Sequence, residues 1–320
     1  MTLNRILAAV LMTLASTAFA RAPHTVDQAT IEKWMTELSN WQRWGENDVL
    51  GAMNLVTAER RLEALKLAIE GATVSLARDL TKDPKNDERS PFRHQMFGTG
   101  QAGSFLMDRY SFTYHGSAQS HLDALCHVSH QGKLYNGVPR TTATDEGCAS
   151  MSILDLKQGI TIRGVLIDIP RLKNVDYLEP GTPIYAEDIE AWEQKAGIKV
   201  RAGDLLLLRT GRWAGNQDHT TPRSGAGFHA SAAPWLKSRD VALIGSDYAT
   251  DVAPSGIEGS SLPLHQLLIV AMGVRILDNL DLEALAQEAA KRRRWEFLVT
   301  MAPLPIPGGT GSPINPIATF

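Results

Sequence analysis

An α/β fold is the expectation for this sequence, and three features carry it. Short apolar runs alternate with helical patterns, the runs are continuous rather than polar-apolar alternations, and no linker divides the chain. Of the residues 43% are apolar and 21% charged, which excludes a disordered chain and leaves enough apolar surface for a sizeable core. With 32 basic against 35 acidic side chains, nothing in the charge balance favours a nucleic-acid partner.

Taken in order, the first twenty residues stand apart from the rest. Arg5 precedes an uncharged stretch from Ile6 to Ala20 that ends in Ala18-Phe19-Ala20, the small-x-small pattern of a signal peptidase site. That stretch is shorter than the roughly 20 residues a membrane span requires, so it reads as a secretory leader more readily than as an anchor. The mature chain is then expected to begin at Arg21, periplasmic or secreted, with no membrane attachment after cleavage. An oxidising compartment permits one disulfide between the two cysteines, Cys126 and Cys148.

Residues 28–44 place Ile31, Trp34, Met35, Leu38 and Trp41 at helical spacing. A second helix is expected from Ala58 to Glu70, with Leu62, Leu65, Leu67 and Ile69 apolar and Gly71 as the stop. These two form a helical extension over residues 21–70, ahead of one catalytic domain over 71–320. In that domain the β-like runs are Thr73–Leu76, Gly164–Ile169, Asp204–Leu208 and Val241–Ile244, and the helical patterns are Ala186–Ala196, Ala230–Lys237 and Leu264–Met272. Two long loops, Thr81 to Gly103 and Arg212 to Gly227, are of a length that is usually mobile or functional. Gly98 to Gly103 matches the dinucleotide fingerprint in letters, but it follows a charged loop and opens no helix. There is no G-x-S-x-G elbow, P-loop or H-E-x-x-H, which lowers the serine hydrolase, nucleotide and zinc-protease readings.

Chemistry concentrates where four of the nine histidines fall together: His115, His121, His127 and His130. Read with a period of two, Tyr110 to Asp123 is a strand whose one face is apolar or small and whose other face carries His115, Ser117, Gln119, His121 and Asp123. A polar face has a plain reading as the wet side of a strand. The residue types point further, because an imidazole two positions from a carboxylate on one face suits zinc or manganese. His127, four residues after Asp123, returns to the same pocket if a turn follows. Cys126 reads as a small buried side chain rather than a thiolate ligand. Downstream, His265 opens an apolar helix and Asp278 precedes another; either has a capping reading alone, and together they could complete a metal site. His229 is a further pocket candidate, and Phe97, Tyr135, Trp213 and Trp235 could line a pocket for a flat ring.

The run Ser117-Ala118-Gln119-Ser120-His121-Leu122-Asp123-Ala124-Leu125-Cys126-His127 resembles the H-x-G-T-H-x-D-x-P-x-H signature of the metal-dependent cyclase-like hydrolase superfamily. The second His, the Asp and the last His match; Ser117 stands for the first His and Leu125 for the Pro. Arg163–Asp168, Gly203–Gly211, Gly245–Asp247, the His265 helix and Gly309–Pro313 follow in the family's order, so the resemblance spans roughly residues 70–318. It implies a swivelling β/β/α-type domain and a divalent cation, zinc first and manganese second. By the same resemblance His121, Asp123 and His265 are ligands, His127 is the catalytic histidine, and Asp278 takes the place of a family Glu. With Ser117 a poor ligand, the site would hold one ion where relatives hold two, or recruit His115 or Gln119 instead.

The implied activity is metal-assisted hydrolysis of a small amide, imide, formamide or lactone, with a small-molecule substrate and a homo-oligomeric protein. A secreted binding protein or inactive relative is the reading that Ser117, Leu125 and the displaced Asp278 favour. A lyase or cyclase using the same cation is the third.

Overall fold

The structure is a computed structural model that describes residues 24–80, 82, 91–98, 105–215 and 224–320. The expected leader, the run from Thr99 to Gly103 and parts of both long loops lie outside the described residues.

Helix α1 (Gln28–Glu37) begins where the Asp27 carboxylate accepts the Thr30 amide, satisfying one of the free N–H groups of the first turn. It stops short of the expected residue 44 because the chain beyond finds partners elsewhere. The Asn40 amide donates to the Ala271 carbonyl, the Asn40 side chain to Met272 and the Trp41 indole to Val270. Residues 24–56 therefore share the core of the rest of the chain. Helix α2 (Ala58–Leu65) buries Ala64 and leaves Leu62 60% and Leu65 49% exposed, the reverse of the expected face. A small residue at the contact lets this helix lie close against the sheet.

The strands, in chain order, are β1 (Thr73–Ser75), β2 (Arg93–Phe97), β3 (Met107–Ser111), β4 (His121–Asp123), β5 (Ala143–Thr144), β6 (Gly147–Cys148), β7 (Ile160–Asp168), β8 (Pro183–Ile184), β9 (Leu205–Arg209), β10 (Gly227–Phe228), β11 (Leu243–Ser246), β12 (Arg275–Asp278), β13 (Glu296–Met301), β14 (Gly311–Pro313) and β15 (Ile317–Thr319). Between them lie α3 (Ile169–Lys173), α4 (Ala186–Ala196), α5 (Ala233–Ser238), α6 (Pro263–His265) and α7 (Glu283–Arg292); α6 runs directly into a π-helical stretch, Gln266–Met272. The α/β expectation holds, and α4 has the expected bounds, closed by Gly197 at φ 67° in the left-handed region.

Nine strands form one sheet in the order β1-β15-β13-β7-β9-β11-β12-β4-β14. Its centre, β7, β9, β11 and β12, is parallel. In β9, β11 and β12 every residue is buried, as a sheet covered on both faces requires, which is why the sequence shows continuous apolar runs. The flanking strands β13, β15, β1, β4 and β14 pair antiparallel. At the opposite end of β12 from Asp278, the Arg275 guanidinium donates to the carbonyls of Leu50 and Val49 and fastens the N-terminal segment. Gly51 permits that approach: a Cβ there would meet the Gly273 carbonyl oxygen at 2.3 Å.

The pairing that positions the site is β4 against β12, which sets His121 opposite Asp278 and Leu122 opposite Leu277. Carboxyl ends of parallel strands are where open α/β sheets collect polar side chains, and Asp278 lies at such an end.

One local expectation is corrected. Tyr110 to Asp123 is two short strands, β3 and β4, and residues 112–120 between them belong to neither. Their backbone polar groups are met by side chains instead of a ladder. The Asn279 amide donates to the Gly116 and Gln119 carbonyls, and Arg212 donates to that of Ser117. The two cysteines are joined, Cys126 to Cys148, so Cys126 is neither a free buried thiol nor a ligand.

Candidate metal centre

Asp123 is the centre of the arrangement. Its side chain is 1% exposed, and three imidazoles face the single oxygen Oδ1: His115 Nδ1 at 3.2 Å, His121 Nε2 at 3.6 Å and His127 Nε2 at 4.0 Å. Among the described residues neither Asp123 oxygen has a hydrogen-bond partner, and neither does the buried His115 Nδ1. Buried polar atoms are ordinarily hydrogen-bonded, so three unpaired atoms in one cluster call for an explanation. A divalent cation supplies one, since ligand atoms about 2 Å from an ion stand roughly 3–3.5 Å from each other.

The rings of His121, His265 and His115 are oriented from behind. A carbonyl can only accept, so the 2.8 Å contact of His121 Nδ1 with the Gln119 carbonyl places the proton on Nδ1 and leaves the Nε2 lone pair facing Asp123. His265 is arranged alike, with Nδ1 2.6 Å from Asp251 and Nε2 3.2 Å from Asp278 Oδ2. For His115 the far nitrogen, Nε2, meets the Thr310 hydroxyl at 3.0 Å. Two donor groups result, His115, His121 and Asp123 in one, and Asp123, His265 and Asp278 in the other, with Asp123 common to both.

The electrostatics agree with a cation site. Burial alone would raise the Asp123 carboxyl, yet His127, His115 and His121 hold it below the usual carboxylate range. Burial pulls His127 down to about 4, against the opposing pull of Asp123, so this ring is neutral at neutral pH. At His265, burial is outweighed by the carboxylates of Asp278 and Asp251, which hold the ring well above its ordinary value. Three buried carboxylates around one imidazole leave negative charge that a cation would neutralise.

Of the residues picked out in the sequence, His115, His121, Asp123, His265 and Asp278 come together in the two groups, and His127 stacks on His115 with ring centroids 3.8 Å apart. Gln119 contributes its carbonyl rather than its side chain, and Ser117 gives its carbonyl to Arg212. His229 is in neither group; its Nδ1 meets the Ser231 hydroxyl and its ring packs beside Tyr185. Tyr135 is core, bonded to Asp48 and Asn40, Trp235 donates to Glu190, and Phe97 ends the separate β2-β3 ribbon. Trp213 donates to the Leu280 carbonyl, two residues beyond Asp278. Sequence reading passed over Asp251 and Thr310. Thr310 lies in a block already noted for its order, whereas Asp251 has no spacing pattern with His265 that could have marked it.

A model of the cyclase family matches residues 24–251. The chain therefore belongs to the cyclase family, and the fold agrees. A solved structure described as a novel cyclase superimposes with a TM-score of 0.82 at 31% identity, covering 89% of this chain and 99% of that one. Isatin hydrolase of Roseibium aggregatum is 32% identical over 151 residues, which are 44% of this chain and 53% of that enzyme. The match thus spans about half the length of that relative. An isatin hydrolase solved with the product analogue thioisatinate shares the fold, with a TM-score of 0.55, 20% identity and coverage of 82% and 98%.

Proposed function

We propose that this protein is a cation-dependent hydrolase of a small amide, imide, formamide or lactone, with His115, His121, Asp123, His265 and Asp278 as donors for zinc or manganese. The observation that carries the reading is the Asp123 carboxylate, buried, with both oxygens unbonded among the described residues and faced by three imidazoles. When bound, the cation supplies the charge that brings a water's pKa toward about 7 and polarises a carbonyl.

His127 is the residue left over for proton transfer. It is the most exposed of the three rings around Asp123, at 29%, and the farthest from it. Its depressed pKa keeps it neutral and able to take a proton, which it returns to the leaving nitrogen or oxygen. Stacking on His115 fixes the plane of its ring. The remaining groups orient: Gln119, Thr310 and Asp251 each hold the outward nitrogen of one histidine.

Cyclic amides head the candidate substrates because the curated relative is an isatin hydrolase. A periplasmic or secreted location belongs to the same proposal, supported by the closed Cys126–Cys148 pair. The test combines metal content per chain with turnover of isatin in ¹⁸O-water, for wild type and His127→Ala. The expected result is one or two ions per chain in both proteins, label in the ring-opened acid, and a loss of about 10²–10⁴-fold in turnover for the variant. Product formed without label would place the chain among lyases or cyclases. A wild type that takes up no ion from excess zinc or manganese would sink the reading.

A further inference from the structure

Thr250 and Asp251 are consecutive, and each holds one member of the downstream donor group. The Asp251 carboxylate accepts the amides of Leu264 at 2.6 Å and His265 at 3.1 Å, and the same Oδ2 takes the His265 Nδ1 proton at 2.6 Å. Helix start and imidazole are thereby fixed by one side chain, with Nε2 turned to Asp278. The Thr250 hydroxyl donates to Asp278 Oδ1 at 3.2 Å, leaving Oδ2 for the His265 side. All four side chains are buried.

Consecutive side chains on an extended backbone point to opposite sides, so an ordinary strand end could not present both to one site. Thr250 has φ 58°, in the left-handed region that a β-branched residue rarely adopts. Such a conformation persists only where its surroundings over-determine it. Here the Ser246 hydroxyl accepts the Thr250 amide at 3.1 Å, and the Thr250 carbonyl accepts the Phe228 amide at 2.8 Å. Val252 donates back to Phe228 at 3.0 Å, clamping the turn against β10. Gly227 makes room for the clamp, since a Cβ there would lie 2.7 Å from the Thr250 carbonyl oxygen and 2.5 Å from the Asp251 carbonyl carbon.

We propose that Thr250 and Asp251 are positioning residues, and that the strained turn they form aims Asp278 and His265 at a divalent cation. This rests on the cation reading of the site. Neither residue touches the reacting atoms; each acts through the ligand it holds.

The test titrates Zn²⁺, and separately Mn²⁺, into metal-stripped protein against a chromogenic chelator, reading stoichiometry and affinity. Wild type is compared with Thr250→Val, Thr250→Ser and Asp251→Asn, and the metal-free melting temperature of each is recorded. Thr250→Val, which keeps the shape and loses the hydroxyl, and Asp251→Asn are expected to lower affinity by about 10–100-fold. Thr250→Ser restores it to within about 3-fold, while the metal-free melting temperatures of the two Thr250 variants agree. Thr250→Val binding as tightly as wild type, or Thr250→Ser binding as weakly as Thr250→Val, overturns the positioning role and leaves the cation reading intact. A wild type that binds neither ion overturns the cation reading, and the positioning role with it.

Discussion

Asp123 and the three imidazoles around it decide what the site can be. Removing a carboxylate from water costs several kcal/mol unless positive charge accompanies it, and no lysine or arginine is paired with Asp123 among the described residues. On the proposed reading His115, 3.2 Å from Asp123, supplies the ring that the family signature would have placed at Ser117. His115→Ala is therefore expected to weaken zinc affinity by about tenfold or more, whereas Ser117→Ala leaves it within about twofold, both read by chelator competition. Equal effects would return Ser117 to the ligand set. On the proposed mechanism the acid limb of the rate belongs to His127. Its folded pKa of about 4 lies below the ordinary 6.5, and a cation beside it shifts it further the same way. At saturating metal, kcat/KM is expected to stay level as pH falls through 6.5 and to decline only at lower pH; a limb centred on 6.5 would contradict this. The sign for stability follows from the same depression: the contribution of His127 is complete above 6.5 and is lost as pH falls from there toward 4. His121, Asp123 and His127 were legible in the sequence because their spacing is local. Asp251 was not, since its tie to His265 exists only after the chain has folded back.

At the scale of elements, the segment between Cys126 and Cys148 carries His127, His130 and Tyr135, and the disulfide closes it over a separation of 22 residues. Cys148→Ser is expected to cost about 2–4 kcal/mol in urea unfolding, mostly by freeing the unfolded chain. An unchanged unfolding midpoint would show the bond to be dispensable. The elements that were legible are those whose pattern is both long and locally satisfied. Helix α4 is one, with Ile189 and Trp192 inward and Gly197 closing it. The stretch from Tyr110 to Asp123 alternates as a strand would, but Asn279 and Arg212 reach its carbonyls from distant elements and hold 112–120 out of the sheet. Helix α2 misled for another reason: its leucines mark a face, and the sheet takes the small Ala64 instead.

For the molecule as a whole, the proposed cation, held by residues from β4, α6 and β12, would bind only the folded chain. It then adds stability by mass action, about 2.7 kcal/mol at a free concentration 100 times Kd. Chelation by EDTA is expected to lower the melting temperature, and zinc or manganese to restore it; identical melts would mean that no cation is held. Three strands of the parallel centre, β7, β9 and β11, were legible as continuous apolar runs, and the fourth, β12, was not. The placement of β4 beside β12 was not, because a strand of three residues leaves no pattern that names its partner. That pairing also has a bearing on synthesis. Gln119 and Asn279, which flank the paired strands, lie 160 positions apart in the chain. At ~5–20 residues per second a ribosome takes roughly 10–30 s to pass from one to the other. A truncated product ending before β12 lacks Asp278, and one ending before α6 lacks His265 as well. Such fragments should hold fewer ions than the finished chain, so metal content distinguishes complete translation products from abortive ones.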